Sequence, residues 1–337
     1  MMKKRSDAQL MLLIGTVSAV ALALYLGWAA ARGRLGFPLD DAWIHLTYAR
    51  NLARHGQWAF VLGQPSAGST APMWTLLLAP GFLLRLPPRW WAYLLGWLTL
   101  AGTGVMAYRV ARRLFPERRS APLLAGLACA LEWHLVWAAG SGMETLLFAL
   151  LTLVIWDRLL ADPHHRPFVT GLLGGLLILT RPEGITVMGL VGLAMLLPAI
   201  RRDRWRRGLL SAALTSAGIG LALAPYIALN FRLSGTPWPN TFYAKQAEYA
   251  VLRLQPLTTR LLGVGATPFI GPLALLVPGL VWAAWRRGAR PSRRSTGPVG
   301  WGWGGWLPLV WVGGTVVMYA VRLPVTYQHG RYLMPLI

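Results

Sequence analysis

Two adjacent aspartates, Asp40 and Asp41, follow the first long apolar stretch of the sequence, within FPLDDAWIHL. Acids are scarce in this chain, which has 11 Asp and Glu against 33 Lys and Arg. One carboxylate here could cap a helix, because its oxygen accepts the free N–H groups of the first turn. Two neighbouring carboxylates could instead hold a cation or exchange a proton. The sequence leaves capping and chemistry open for this pair.

Six further ionisable residues lie between apolar runs and are candidates for substrate binding. They are Glu144, Arg181, Glu183, Lys245, His329 and Arg331. The arginines and the lysine could neutralise a phosphate group, whereas a helix-start acid, a local turn or a solvated side chain is the ordinary alternative for each position. The histidines show no metal-ligand spacing. A divalent cation, if one is used, would therefore fall to Asp40 and Asp41.

The elements that must position these residues are apolar helices. Hydrophobic residues make up 55% of the chain and charged residues only 13%, about half the charged share of soluble proteins. Runs long enough to span a bilayer recur along the sequence. The net charge of +22 comes from arginines clustered between these runs, a pattern that encodes membrane topology. These features predict an all-α polytopic membrane protein and argue against nucleic-acid binding.

The hydropathy pattern predicts about nine transmembrane helices. They cover approximately residues 10–31, 90–111, 121–139, 143–160, 168–180, 185–200, 208–231, 261–285 and 302–321. A tenth apolar stretch, residues 71–86, is short and is predicted to lie at the interface, because the arginine clusters then share the cytoplasmic side with the N-terminus. In that arrangement all eight candidate residues lie on the outer side.

The sequence is interpreted as one transmembrane module over residues 1–337 with two large outer loops. The first loop, residues 32–89, contains an amphipathic helix predicted over 41–54 and the interfacial helix over 71–86. The second loop, residues 232–260, begins with the turn SGTPWPN and continues as a surface helix. Ionisable groups of the outer face would meet between these loops.

Several segments occur in an order that resembles a known superfamily. They are LDDAWIHLTYARNLARHGQW, GSTAPMWTLLLAP, GMETLLFALL, LTRPEG, PYIALNFRLSGTPWPNTFYAK and HGRYLMP. This set resembles the GT-C superfamily of integral-membrane glycosyltransferases, and within it the terminal arabinofuranosyltransferases of the mycobacterial cell wall and related bacterial proteins. Gly68-Ser69-Thr70 departs from the Gly-Tyr-Ser or Gly-Tyr-Thr of that family. The resemblance also implies a C-terminal part of the family that would be missing after Ile337.

The resemblance implies a reaction and a location. The donor would be a polyprenyl-phosphate-linked sugar, the acceptor a glycan, lipid or protein of the cell envelope, and the acidic pair of the first outer loop would correspond to Asp40 and Asp41. The protein would lie among the lipids of the bacterial cytoplasmic (inner) membrane with its active site on the extracytoplasmic face. A transporter or flippase for a lipid-linked or anionic substrate is the alternative, and it predicts repeats and broken helices around a midplane site.

Overall fold

The described part of the chain is almost entirely helical. The computed structural model describes residues 6–118, 120–201, 205–269, 307–325 and 333–336. Its helices are α1 Asp7–Ala31, α2 Asp41–His55, α3 Pro72–Leu83, α4 Pro88–Leu114, α5 Ala121–Leu131, α6 Trp133–Gly140, α7 Thr145–Ala161, α8 Pro167–Thr180, α9 Gly184–Arg201, α10 Trp205–Ser234, α11 Asn240–Glu248, α12 Leu257–Ala266 and α13 Leu307–Arg322. The predicted all-α class is confirmed, with one small addition: strands β1 Ala59–Val61 and β2 Gln64–Pro65 form an antiparallel hairpin.

Within the part of the chain that the structure describes, three or four spans are found, fewer than the nine predicted for the whole sequence. Among the described residues, α1, α4 and α10 are long and apolar enough to cross a membrane, and α5 with α6 makes a fourth if that bent pair is one span. The helices α3, α8, α13 and most of α9 are apolar but shorter. The predicted span over 261–285 lies mostly outside the described residues. The chain is thus a helical membrane protein, and the number nine stays a prediction.

The span predicted over 121–139 is broken at Glu132. The helices α5 and α6 meet there at an angle of 49°, and the backbone of Glu132 is extended. Its carboxylate accepts a hydrogen bond from the backbone N–H of Leu135 at 3.1 Å and lies 2.8 Å from Nδ1 of His134. The side chain therefore caps α6 and stabilises the break, because the first N–H groups of a helix lack partners within it.

Residues 32–89, predicted to form the first outer loop, contain the two helices that the sequence predicts. Helix α2 ends at Gly56, whose φ of 64° is the left-handed conformation that favours glycine. Helix α3 has 12 residues and is roughly 18 Å long, too short for a hydrocarbon core of about 30 Å. The indole of Trp74 on α3 is buried and donates a hydrogen bond to the carbonyl of Gly142 at 2.8 Å. This bond fixes α3 to the α6–α7 turn.

Ion pairs close one end of the helix bundle. Arg112 near the end of α4 binds Asp7 at the start of α1, and Arg113 binds Asp157 near the end of α7. Arg109 adds a contact of 3.2 Å to the buried carboxylate of Asp157. Because the chain reverses direction from helix to helix, the α6–α7 and α8–α9 turns lie at the opposite end. The two ends of the bundle thus differ in their ionisable groups.

Helices α8 and α10 approach each other closely at two glycines. A Cβ atom added to Gly171 would lie 2.1 Å from the carbonyl oxygen of Thr215, and one added to Gly218 would lie 2.3 Å from that of Phe168. Backbone atoms cannot move aside as a flexible side chain can. The packing of these helices therefore requires residues without a Cβ atom at both positions.

We expect Gly218→Ala to destabilise the protein by about 1–3 kcal/mol, because overpacking forces the backbones of α8 and α10 apart. The matched control is Gly220→Ala on the same helix, where an added Cβ atom meets nothing within 4 Å. Alanine there should leave stability unchanged or slightly raised, since alanine favours helix more than glycine does. Thermal unfolding of the purified protein in detergent measures both effects. Equal midpoints for the two variants would contradict the close approach.

Candidate active site

A cavity of about 590 Å³ opens where α2, α11, α13 and the α6–α7 and α8–α9 turns meet. Its ionisable lining consists of Asp41, His45, Glu144, Arg181, Glu183, Lys245 and Arg322. Five of the eight candidates from the sequence come together in this wall. Asp40 is not among the lining residues, and His329 and Arg331 lie outside the described residues. Three carboxylates and three cationic side chains therefore face one space at the end away from the Asp7 and Asp157 ion pairs.

The two adjacent aspartates have different surroundings. Asp40 is exposed and is the N-cap of α2, with Oδ1 accepting a hydrogen bond from the backbone N–H of Asp41 at 3.0 Å. Asp41 is the first residue of α2 and is partly buried, and its Oδ2 lies 3.2 Å from Nζ of Lys245. One carboxylate thus serves the helix start, while the other faces the cavity beside a cation.

The protein side chains do not form a complete metal site in the described part of the chain. Across those residues, no three His, Cys, Asp or Glu side chains lie close enough together to hold a metal ion. The aspartate pair, which would supply the ligands of a divalent cation, divides between a helix cap and an ion pair with Lys245. The described residues therefore do not fit a cation held by Asp40 and Asp41 together.

Glu144 is a buried anion at the start of α7. Its Oε2 lies 3.5 Å from Nε2 of His45, and its Oε1 lies 3.9 Å from Nη1 of Arg181. Burial alone would raise the pKa of Glu144, but the contact with His45 and the positive charge of Arg181 outweigh it and lower the pKa to about 2. Glu144 consequently stays ionised near neutral pH and is a weak proton acceptor. Its chemistry suits a counter-ion better than a general base.

Arg181 is held between two carboxylates. Its side chain is buried, its Nε lies 3.6 Å from Oε2 of Glu183, and Glu144 approaches it from the other side. Glu183 is itself fixed, because the hydroxyl of Tyr319 on α13 donates to its Oε1 at 2.5 Å. The guanidinium also lies 5.8 Å from the ring of Phe148, within reach of a cation–π interaction. Arg181 thereby links the α6–α7 turn, the α8–α9 turn and α13, through Glu144, Glu183 and Tyr319.

Helix α11 forms a further wall of the cavity. Phe242, Lys245 and Gln246 lie on one face of α11 and line the cavity together with Trp238, which precedes the helix. The rings of Trp238 and Phe242 lie 6.0 Å apart. This face combines an aromatic surface with one ammonium group. Such a surface can bind a ligand that has both an apolar or ring-shaped part and an anionic part.

Hydrogen bonds join the first turn of α11 to the loop before α3, and an ion pair joins Lys245 to α2. The backbone N–H of Asn240 donates to Ala67 at 2.8 Å, and the hydroxyl of Thr241 donates to Gly68 at 2.9 Å. No residue of α11 is buried. The loop that precedes α3 therefore positions the start of α11, and the Asp41–Lys245 contact joins its far end to α2.

The sequence reasoning missed several lining residues. They are His45, Trp238, Phe242, Tyr319 and Arg322. His45 lies four residues after Asp41, one helical turn away, and that spacing could have identified it. Phe242 and Lys245 are three residues apart, about one helical turn, and this spacing could likewise have identified Phe242. Tyr319 has no signal of this kind, because only tertiary packing brings α13 to the α8–α9 turn.

A comparison with solved structures finds a likeness in overall architecture. The apo form of an oligosaccharyltransferase from Archaeoglobus fulgidus superimposes with a TM-score of 0.51 and 14% sequence identity, over 88% of this chain and 41% of that chain. This chain thus spans less than half the length of that enzyme. No protein-family model matches the sequence, and no curated protein matches it either. The likeness shows a GT-C-like fold, while the finer resemblance to arabinofuranosyltransferases stays a prediction.

Proposed function

We propose that this protein is a glycosyltransferase that moves a sugar from a polyprenyl-phosphate-linked donor to a hydroxyl group of a glycan, lipid or protein acceptor. The observation that carries the proposal is the cavity in which the carboxylate of Asp41 lies 3.2 Å from the ammonium group of Lys245, with the buried Arg181 in the same wall. The fold likeness to an oligosaccharyltransferase supports glycosyl transfer in general. The donor and the acceptor are inferred from the resemblance in the sequence.

The reaction is a direct displacement at the anomeric carbon of the donor. The acceptor oxygen forms a bond to that carbon, and the bond from the carbon to the phosphate oxygen breaks. The proton of the acceptor hydroxyl moves to the carboxylate of Asp41, and the leaving polyprenyl phosphate keeps the electron pair. General base catalysis of this kind is worth about 10²–10⁴-fold in rate. Asp40 contributes by capping α2 and so orienting Asp41.

The leaving phosphate gains negative charge and needs cations aimed at it. Lys245 is the main candidate, because among the described residues it forms an ion pair with one carboxylate, that of Asp41, whereas Arg181 already lies between Glu144 and Glu183. A donor phosphate beside Lys245 would draw the ammonium group away from Asp41. The carboxylate would then lose a neighbouring positive charge that disfavours its protonation. His329 and Arg331 are further candidates for substrate binding from the sequence.

The proposal includes a location in the bacterial cytoplasmic membrane with the cavity on the extracytoplasmic side. Arginines of the opposite end, among them Arg109, Arg112 and Arg113, pair with Asp7 and Asp157. The positive-inside rule favours the cytoplasm for that end. The lipid tail of the donor would lie between helices, and its phosphate would lie at the outer interface. This arrangement agrees with a polyprenyl carrier that presents its sugar outside the cell.

A transporter or flippase is the second candidate function, and the break between α5 and α6 is the observation that favours it. The ionisable residues at that break, Glu132 and His134, bind each other and are absent from the cavity lining. The remaining candidates converge on one end of the bundle rather than on its middle. Glycosyl transfer therefore agrees better with the arrangement.

The test uses the purified whole protein in liposomes with synthetic polyprenyl-phosphate sugars and a membrane extract as the acceptor source. We expect polyprenyl phosphate to be released in step with labelled sugar on the acceptor. A phosphonate analogue, which has carbon in place of the bridging phosphate oxygen, is the control and should give no release. Movement of intact donor across the bilayer without cleavage would instead support the transporter and overturn the proposal.

A further inference from the structure

A second cavity, of about 640 Å³, lies beside α1 where α5 and α6 meet. Its lining consists of Ala21, Tyr25, Trp28, Arg34, Leu131, Trp133, Val136 and Trp137. We name this cavity the α1–α6 groove. We propose that the groove binds a phospholipid with an anionic headgroup, at a site separate from the Asp41 cavity.

The groove has the composition of a membrane–water boundary. Trp28 lies in the last turn of α1, the helix of 25 residues that is long enough to span a bilayer. Tryptophan and tyrosine concentrate where spanning helices meet the headgroups, and three Trp and one Tyr line this groove. Ala21 lies two turns deeper in α1, and Leu131 and Val136 continue the apolar surface on the facing side. An acyl chain fits this surface, with its headgroup at the Trp28 end.

The charge at the mouth favours an anionic headgroup. Arg34 is exposed and lines the groove, and it is the one charged side chain among the described lining residues. The guanidinium of nearby Arg32 lies 5.1 Å from the ring of Trp28. Glu132, the acid nearest in sequence to the lining, turns away, because its carboxylate binds His134 and the backbone N–H of Leu135. A lipid phosphate would therefore meet positive charge at this end.

The groove owes its shape to the broken helix. Leu131 is the last residue of α5, and Trp133 is the first residue of α6, which departs at 49°. In a straight helix, Leu131 and Trp133 would follow the regular helical spacing along one axis. The bend instead turns α6 away from the axis of α5 and leaves a recess beside α1. The carboxylate of Glu132 holds the bend by capping α6. The capping bond at Glu132 thus maintains the concave surface beside α1.

The groove is not the place where the lipid-linked donor of the proposed reaction would react. Among the described residues, the groove and the Asp41 cavity share no lining residue, and the α6–α7 turn separates them. Gly140 packs against the groove, since an added Cβ atom would lie 2.6 Å from the ring of Tyr25. Glu144, four residues later, lines the Asp41 cavity. A phosphate bound at Arg34 would thus lie behind this turn, away from Asp41, which suits a resident phospholipid.

The test is photo-crosslinking of the whole protein in phosphatidylcholine nanodiscs. The probe is phosphatidylglycerol with a photoreactive group in its acyl chain, and peptide mass spectrometry locates the label. We expect label on residues 21–34 and 131–137. Arg34→Ala should reduce that label about fivefold, the factor that corresponds to roughly 1 kcal/mol for one basic side chain at a membrane surface. Arg253→Ala, at an exposed arginine outside the groove lining, is the matched control and should change nothing.

A second variant tests the groove itself. Ala21→Trp fills the groove and keeps Arg34, so it should remove the label from both segments while the protein still elutes as one species in detergent. Equal labelling by a phosphatidylcholine probe would overturn the anionic preference, and displacement by inorganic phosphate would indicate a simple anion site. Full labelling in both Arg34→Ala and Ala21→Trp would overturn the site. None of these outcomes depends on sugar transfer.

Discussion

Replacing Asp41 with asparagine is expected to lower the turnover of sugar transfer by about 10²–10⁴-fold, the contribution of a general base. Asparagine keeps the size of the side chain but cannot accept the proton of the acceptor hydroxyl. The assay measures release of polyprenyl phosphate at saturating donor. Donor affinity should change far less than turnover, because Lys245 and Arg181 remain in the cavity wall.

The matched control is the neighbouring Asp40→Asn. Asp40 is an exposed cap outside the cavity lining, and asparagine caps a helix about as well as aspartate does. This variant should therefore retain most of the turnover. Two results would contradict the assignment: full turnover in Asp41→Asn, or an equal loss in both variants. The second result would mean that the start of α2, rather than one carboxylate, controls the reaction.

Replacing Arg181 with methionine is expected to destabilise the protein by about 3–5 kcal/mol, since it leaves a buried carboxylate without its cation. Glu144 is only 7% exposed, and its ionised form depends on His45 and Arg181. Loss of Arg181 removes the positive charge beside Glu144. It also removes the cation beside Glu183, which keeps its hydrogen bond from Tyr319. The midpoint of thermal unfolding in detergent, followed by tryptophan fluorescence, reports the change.

The double variant Arg181→Met with Glu144→Gln separates charge from packing. Glutamine removes the buried negative charge, so the double variant should regain a large part of the lost stability. The control Arg253→Met, at an exposed arginine, should unfold near the wild-type midpoint. A double variant that is as unstable as Arg181→Met alone would show that guanidinium packing, and not the ion pairs, carries the effect.

The local elements of the first outer loop were predictable from sequence because their signals are local. Apolar spacing and a terminal glycine predict a helix over 41–54, and α2 runs over Asp41–His55. The break at Glu132 was not predictable in the same way. No proline or glycine marks it, and the capping bond to Leu135 forms only when α6 already departs from α5. A long apolar run therefore predicted one helix where the structure has two.

The candidate site also contains some residues that the sequence could identify and others that it could not. The sequence identified Asp41, Glu144, Arg181 and Lys245 as scarce or exposed ionisable residues at helix ends. It could not decide which aspartate faces the cavity, because successive residues of a helix point about 100° apart and the start of α2 decides their directions. Tyr319 reaches Glu183 from 136 positions away in the chain. Contacts of that range arise from packing and leave no trace in local spacing.

Helix α11 has a consequence for how large molecules would reach the reacting groups. It carries Lys245, which forms a partly exposed ion pair with Asp41, and none of its residues is buried. Its first turn bonds to Ala67 and Gly68, and Tyr249, the residue that follows it, is buried. Breaking one partly exposed ion pair costs little, so Lys245 can move outward while both ends of the helix stay in place. Asp41 and Lys245, the proton acceptor and the phosphate-binding cation of the proposed reaction, would then be apart while the entrance is open and meet only on closure. Such coupling would guard an activated donor against wasteful hydrolysis before an acceptor is seated.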